Sequence, residues 1–147
     1  MNSVSGMSIQ HNKQMKKSLI PVIFWALAGV FVVIVSYMFI LELIPAVLRV
    51  YAISLMFISW FAFFSLGLTL IILTIRKKVQ GLLKKFLLLT GACAVGFLVF
   101  VILHNAVYGL FGVEEPFFFI LAVIICPLGF LVGSVGSAVL FVKKNRF

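Results

Sequence analysis

The stretch Arg76-Lys77-Lys78-Val79-Gln80-Gly81-Leu82-Leu83-Lys84-Lys85 decides how this chain folds. Half of it is basic, and a long apolar run lies on either side, over 50–75 and 86–110. A helix rises 1.5 Å per residue, so about 20 apolar residues cross the roughly 30 Å hydrocarbon core of a bilayer. Both runs are long enough, and the basic loop between them predicts a helical hairpin with its turn held at the cytoplasmic face.

The same grammar repeats outward from that loop. An apolar run over 19–41 precedes it, with Glu42 at its end and Pro45 just beyond. Another run over 116–142 follows, and Lys143-Lys144-Asn145-Arg146 closes it. Each half thus reads Lys-Lys, apolar run, acid then proline, apolar run, basic cluster, which is also what two hairpins obeying one charge rule would produce.

Composition agrees with this pattern. Of the 147 residues 65% are apolar and only 10% charged, with a mean hydropathy of +1.32. A soluble domain is nearer half apolar and a quarter charged, so the bilayer must be part of this chain's solvent. The sequence therefore predicts an all-α integral membrane four-helix bundle of two antiparallel helical hairpins, with helices over 19–41, 50–75, 86–110 and 116–142. Residues 1–18 read as a disordered cytoplasmic tail, 19–142 as the transmembrane domain and 143–147 as a basic cytoplasmic tail. Pro21 is expected in the first turn of the first helix, where a missing N–H does no harm.

Orientation follows from charge. Of the twelve Lys and Arg, all but Arg49 fall on the side of the tail, the central loop and the C-terminus. All three acids, Glu42, Glu114 and Glu115, fall on the other. The excess of Lys and Arg puts both termini in the cytoplasm and predicts a multi-pass protein of the plasma membrane. Tyr37, Tyr51 and Tyr108 fall towards the outer helix ends, as an interfacial aromatic belt requires. Met15-Lys-Lys reads as a natural start for a signal-anchor helix. The run after it is too long for the core of a cleaved signal peptide, and no small-residue cleavage site closes it.

The net charge of +9 points to anionic lipid headgroups at the cytoplasmic face and not to nucleic acid, since no soluble domain is left to bind it. Cys93 and Cys126 lie in no CxxC and at no metal-ligand spacing, so neither a metal nor a cofactor is predicted. Their depths, counted from the predicted helix ends, argue against a disulfide between them.

Three features remain. Gly129, Gly133, Gly136 and Ser137 line one face of the fourth helix, and Gly91 and Gly96 give the third a shorter version. Small residues four apart let helix backbones approach, either within the chain or against a second copy or another membrane protein. Cys126-Pro127 should kink the fourth helix, making Pro127 its hinge. His104, Asn105 and Tyr108 lie near one face at the outer end of the third helix, and Glu114, Glu115 and Glu42 follow in the outer loops. Together these can form a hydrogen-bonded network, a weak cation site or a headgroup pocket. Ordinary interfacial residues and a helix start at Glu-Glu-Pro are the simpler explanation of the same residues.

No ionisable group lies near the middle of any run, where ion-coupled transporters and proton relays place one. The intrahelical glutamate of small multidrug-resistance transporters is missing, as are the CxxC pairs of quinone-linked thiol oxidases. The leading expectation is a non-enzymatic helix-packing or accessory subunit of a membrane assembly. The alternatives are a small-solute or lipid-handling transporter, using the Pro127 hinge and the Ser65 and Thr69 face, and a membrane enzyme or sensor built on the outer polar cluster.

Overall fold

The computed structural model describes residues 3–40 and 45–145. Among them every regular element is helical, and four helices are long and apolar enough to cross a membrane. They are α1 (Ser3–Ile40), α2 (Ala46–Arg76), α3 (Leu82–Phe111) and a fourth rod in three parts. That rod runs through α4 (Pro116–Ile120), a π-helical stretch (Leu121–Ile125) and α5 (Cys126–Asn145).

The ends differ from the sequence expectation in instructive ways. The α1 helix begins at Ser3, so the backbone of the segment read as a disordered tail is helical through most of its length. No proline and only one glycine interrupt that segment, and a helix already nucleated extends at little cost. Pro21 is therefore inside α1 and not in its first turn. The α3 helix begins at Leu82, with Gly81 before it at φ 75°, a left-handed value open to glycine. Lys84 and Lys85 thus stand at the positive end of the α3 dipole, an unfavourable place for a cation.

The helices pack in chain order, α1 on α2, α2 on α3 and α3 on α5. Glycine sets the two inner seams. A Cβ at Gly67 would lie 2.8 Å from the Ala94 Cβ, and one at Gly91 would lie 3.0 Å from the Gly67 carbonyl oxygen. On the α3–α5 seam, Gly136 meets Phe86, Gly133 meets Thr90, Gly129 meets Cys93 and Gly96 meets Cys126. The numbers fall along one helix as they rise along the other. At Gly133 an added Cβ would lie 2.8 Å from the Thr90 backbone nitrogen and 3.0 Å from the Phe86 carbonyl oxygen, so no side chain fits.

The remaining seam is different. The backbones of α1 and α5 stay apart over nearly all their length, and aromatic rings bridge them. Phe24 meets Phe141 at 5.5 Å between centroids, and Phe31 meets Phe130 at 4.4 Å. Between 17% and 22% of the most apolar window of each helix is buried within the chain. Much of the rest is exposed hydrocarbon, which requires an apolar surrounding.

Four hydroxyls along the helices are satisfied locally, whereas those of Ser134 and Ser137 on the fourth rod are buried with no partner among the described residues. Ser59, Thr69, Thr74 and Thr90 each donate to the carbonyl four residues earlier, at 2.7–2.9 Å. Thr69 donates to Ser65 in this way, so its hydroxyl is engaged with its own helix.

Candidate functional site

The site is built by two local events in the fourth rod. The first is its start. Gly112 ends α3 at φ 64°, in the left-handed conformation, and its N–H donates to the Tyr108 carbonyl at 2.9 Å. Three residues later the chain turns back. Pro116 opens α4, and the Glu115 carboxylate accepts the Phe118 N–H at 3.2 Å as its N-cap.

This tight return lays Glu115 over α3. His104 Nδ1 lies 3.0 Å from the Glu115 carbonyl oxygen. A carbonyl only accepts, so Nδ1 carries the proton, and in the neutral ring Nε2 keeps its lone pair. Asn105 donates its amide N–H to the Val101 carbonyl at 2.7 Å, which leaves its own carbonyl oxygen free. The Phe119 ring lies 5.6 Å from the His104 ring.

Five of the six polar residues singled out in the sequence thus border one cavity of about 570 Å³. They are His104, Asn105, Tyr108, Glu114 and Glu115, and Pro116 and Phe119 complete the wall. Glu42, the sixth, lies outside the described residues.

The second event is the π-helical stretch. Pro127 has no N–H, and its ring clashes with the carbonyl four residues earlier, that of Val123. The rod accommodates this by widening one turn. Cys126 N–H reaches back five residues to the Leu121 carbonyl, the hydrogen bond of a π-helix. The hinge expected at Pro127 is therefore a widened turn just before it.

Beside that turn lies a second cavity, of about 340 Å³, whose exposed lining is entirely apolar. Residues Phe31 and Met38 of α1 bound it on one side, Val123, Pro127 and Phe130 on the other, and Trp60 and Phe97 at the back. An apolar cavity of roughly 150 Å³ already stays dry and takes up small hydrocarbons. The indole N–H of Trp60, in this wall, is buried without a partner. A buried donor left unpaired costs about 1–3 kcal/mol.

The two cavities follow one stripe. Phe97 and Val101 line the apolar one, and His104 and Tyr108 line the polar one, at helical spacing on a single face of α3. Val123 and Phe119 continue the stripe on the facing rod. The two cavities share no lining residue but follow one another along this face, the polar one at the acidic end of the molecule and the apolar one below.

The apolar cavity was not legible in any one segment of the chain. Its aromatic residues come from all four helices, and only the Cys126-Pro127 pair marked the place. Nor did the depth argument for the cysteines hold. Cys93 and Cys126 are free thiols lining the same cavity, at neighbouring levels of the α3–α5 seam. Because α3 starts at Leu82, Cys93 lies about 16 Å along the helix, within about one turn of the level of Cys126, which faces Gly96. No protein-family model, curated protein or solved structure matches this chain.

Proposed function

We propose that this protein is a non-enzymatic four-helix bundle of the plasma membrane, of two antiparallel hairpins with both termini cytoplasmic, that takes up a lipid-like molecule sideways from the bilayer. One observation carries the reading: the apolar cavity of about 340 Å³ sits where rings, and not close-packed backbones, join α1 to α5. Placed in a membrane, that seam is the weakest wall of the bundle, and hydrocarbon is the medium outside it. The widened turn before Pro127 gives the wall its room.

This ranks lipid handling above an accessory role. The accessory reading rested on the small-residue face of the fourth helix, and Gly129, Gly133 and Gly136 are already filled by Cys93, Thr90 and Phe86 of α3. At the basic end, Lys77 Nζ is buried with no partner among the described residues, which supports an anionic headgroup against the cytoplasmic loop.

The test is purification from membranes in mild detergent followed by native mass spectrometry. One retained lipid-like molecule per chain is expected. Val101→Trp, which fills the cavity from α3, should remove it while the melting temperature still reports a folded protein. A chain that carries no such molecule, in wild type as in the variant, overturns the reading. The same spectra report oligomeric state, and an assembly of several chains with an empty cavity would restore the accessory role.

A further inference from the structure

Resting on that reading, we infer that the preferred occupant is a cationic amphiphile: an ammonium headgroup at the acidic rim with a hydrocarbon chain in the cavity below. The juxtaposition is the argument. The rim presents acceptors and few donors. Glu114 is exposed on the loop and Glu115 half-buried beside it, so the wall carries two carboxylates and no Lys or Arg. The His104 proton is held by the Glu115 carbonyl, so the neutral ring can offer only the lone pair of Nε2. Asn105 has turned an N–H to its own helix and has its carbonyl oxygen free.

Tyr108 and Phe119 add aromatic faces to the same wall. An ammonium group gains from such faces as well as from the carboxylates, most of all where water is partly displaced. An anionic headgroup would meet two like charges there. This is a local inversion in a chain whose formal charge is +9, so attraction of cations to this end is not a property of the whole molecule.

The stripe through Phe97, Val101, His104 and Tyr108 then sets the ligand's shape. The rim and the cavity are stacked along one helix face, so head and chain lie in line. A soluble cation would use only the rim, and a plain hydrocarbon only the cavity. An amphiphile with both parts uses the two together.

Trp60 makes the test direct, because it lines the cavity and Trp25 lies exposed on α1. A Trp25→Phe protein in nanodiscs reports quenching at the cavity alone. A Trp60→Phe protein reports quenching by bulk lipid. Three dodecyl amphiphiles, brominated on the chain, carry trimethylammonium, maltoside and sulfate heads. Trimethylammonium should quench Trp60 at a mole fraction at least tenfold below sulfate, with maltoside between them. In Glu114→Gln that advantage should fall several-fold, and in Glu114→Lys it should vanish, with the maltoside curve unmoved in both.

Sulfate binding as well as trimethylammonium, or an order unchanged in Glu114→Lys, overturns the headgroup assignment and leaves the cavity standing. Trp60 quenched by no amphiphile beyond the Trp25 control overturns the uptake reading itself.

Discussion

The two seams of the fourth rod are built on opposite principles. Towards α3 the backbones touch, because Gly129, Gly133 and Gly136 face Cys93, Thr90 and Phe86 with no room for a Cβ. Towards α1 the contact is made by ring ends, Phe130 on Phe31 and Phe141 on Phe24. In lipid there is little hydrophobic drive between helices, so close dispersion contact holds the first seam. The second trades that contact for space. One side of the rod is a joint and the other a door, and the same helix serves both because its faces carry residues of different size.

The largest effect should come from breaking the joint. Gly133→Leu drives a side chain into the Thr90 nitrogen and the Phe86 carbonyl, backbone atoms that cannot step aside. Overpacking of this kind costs about 1–3 kcal/mol and more where backbone must move. Loss of folded protein on size exclusion in detergent is expected. A normal melting temperature would mean that the seam is not close-packed.

Opening the door should cost less. Phe130→Ala removes the pairs with Phe31 and with Phe63, at 4.4 and 5.2 Å between centroids. The two aromatic pairs alone account for about 1–3 kcal/mol beyond area burial, and the space left by a buried ring adds to that loss, measured by unfolding in mixed micelles. Lateral uptake of a brominated chain should become easier as the fold weakens. Gly133→Leu offers no such gain, and that contrast separates the two seams.

Smaller still is the cap at the rim. Glu115→Ala deletes the acceptor for the Phe118 N–H and should cost about 1 kcal/mol, while the His104 bond to the backbone carbonyl survives. Thermal melting gives the cost, and the histidine ring resonances in NMR should keep their tautomer. At the bottom of the scale, Gly29 of α1 meets nothing within 4 Å of an added Cβ. Gly29→Ala should be neutral or stabilising by up to about 1 kcal/mol, through helix propensity alone. Destabilisation there would reveal a contact on the outward face of α1.

Much of this was legible in the chain. The four apolar runs and the basic stretch over 76–85 fixed the number of helices, because length and charge are properties of segments and need no neighbours. Glu115-Pro116 announced the start of the fourth rod, since an N-cap is local chemistry. Pro127 announced a fault in the helix. What it could not announce was the form of the fault, a widened turn with its bond from Cys126 to Leu121.

The polar cluster was legible as a list and not as a wall. His104, Asn105 and Tyr108 share a face by helical spacing, but whether Glu114 and Glu115 fold back over them depends on a loop only three residues long. The GxxxG face posed a sharper ambiguity. Its pattern says that a backbone approaches closely, and it is silent on whose. The partner is α3 of the same chain, because the short connection from Phe111 to Pro116 brings that helix alongside first.

By itself, then, the sequence determined that this chain has four membrane-length helices, where they begin and end to within a few residues save for the start of the first, and which end carries which charge. Those are one-dimensional quantities. Only the tertiary structure decided that the glycine face is closed by α3, that Cys93 and Cys126 line one cavity, and that rings from four helices leave that cavity beneath an acidic rim. The physical reason is that a cavity is a failure of several helices to fill one volume, and no single helix records the volume it leaves empty.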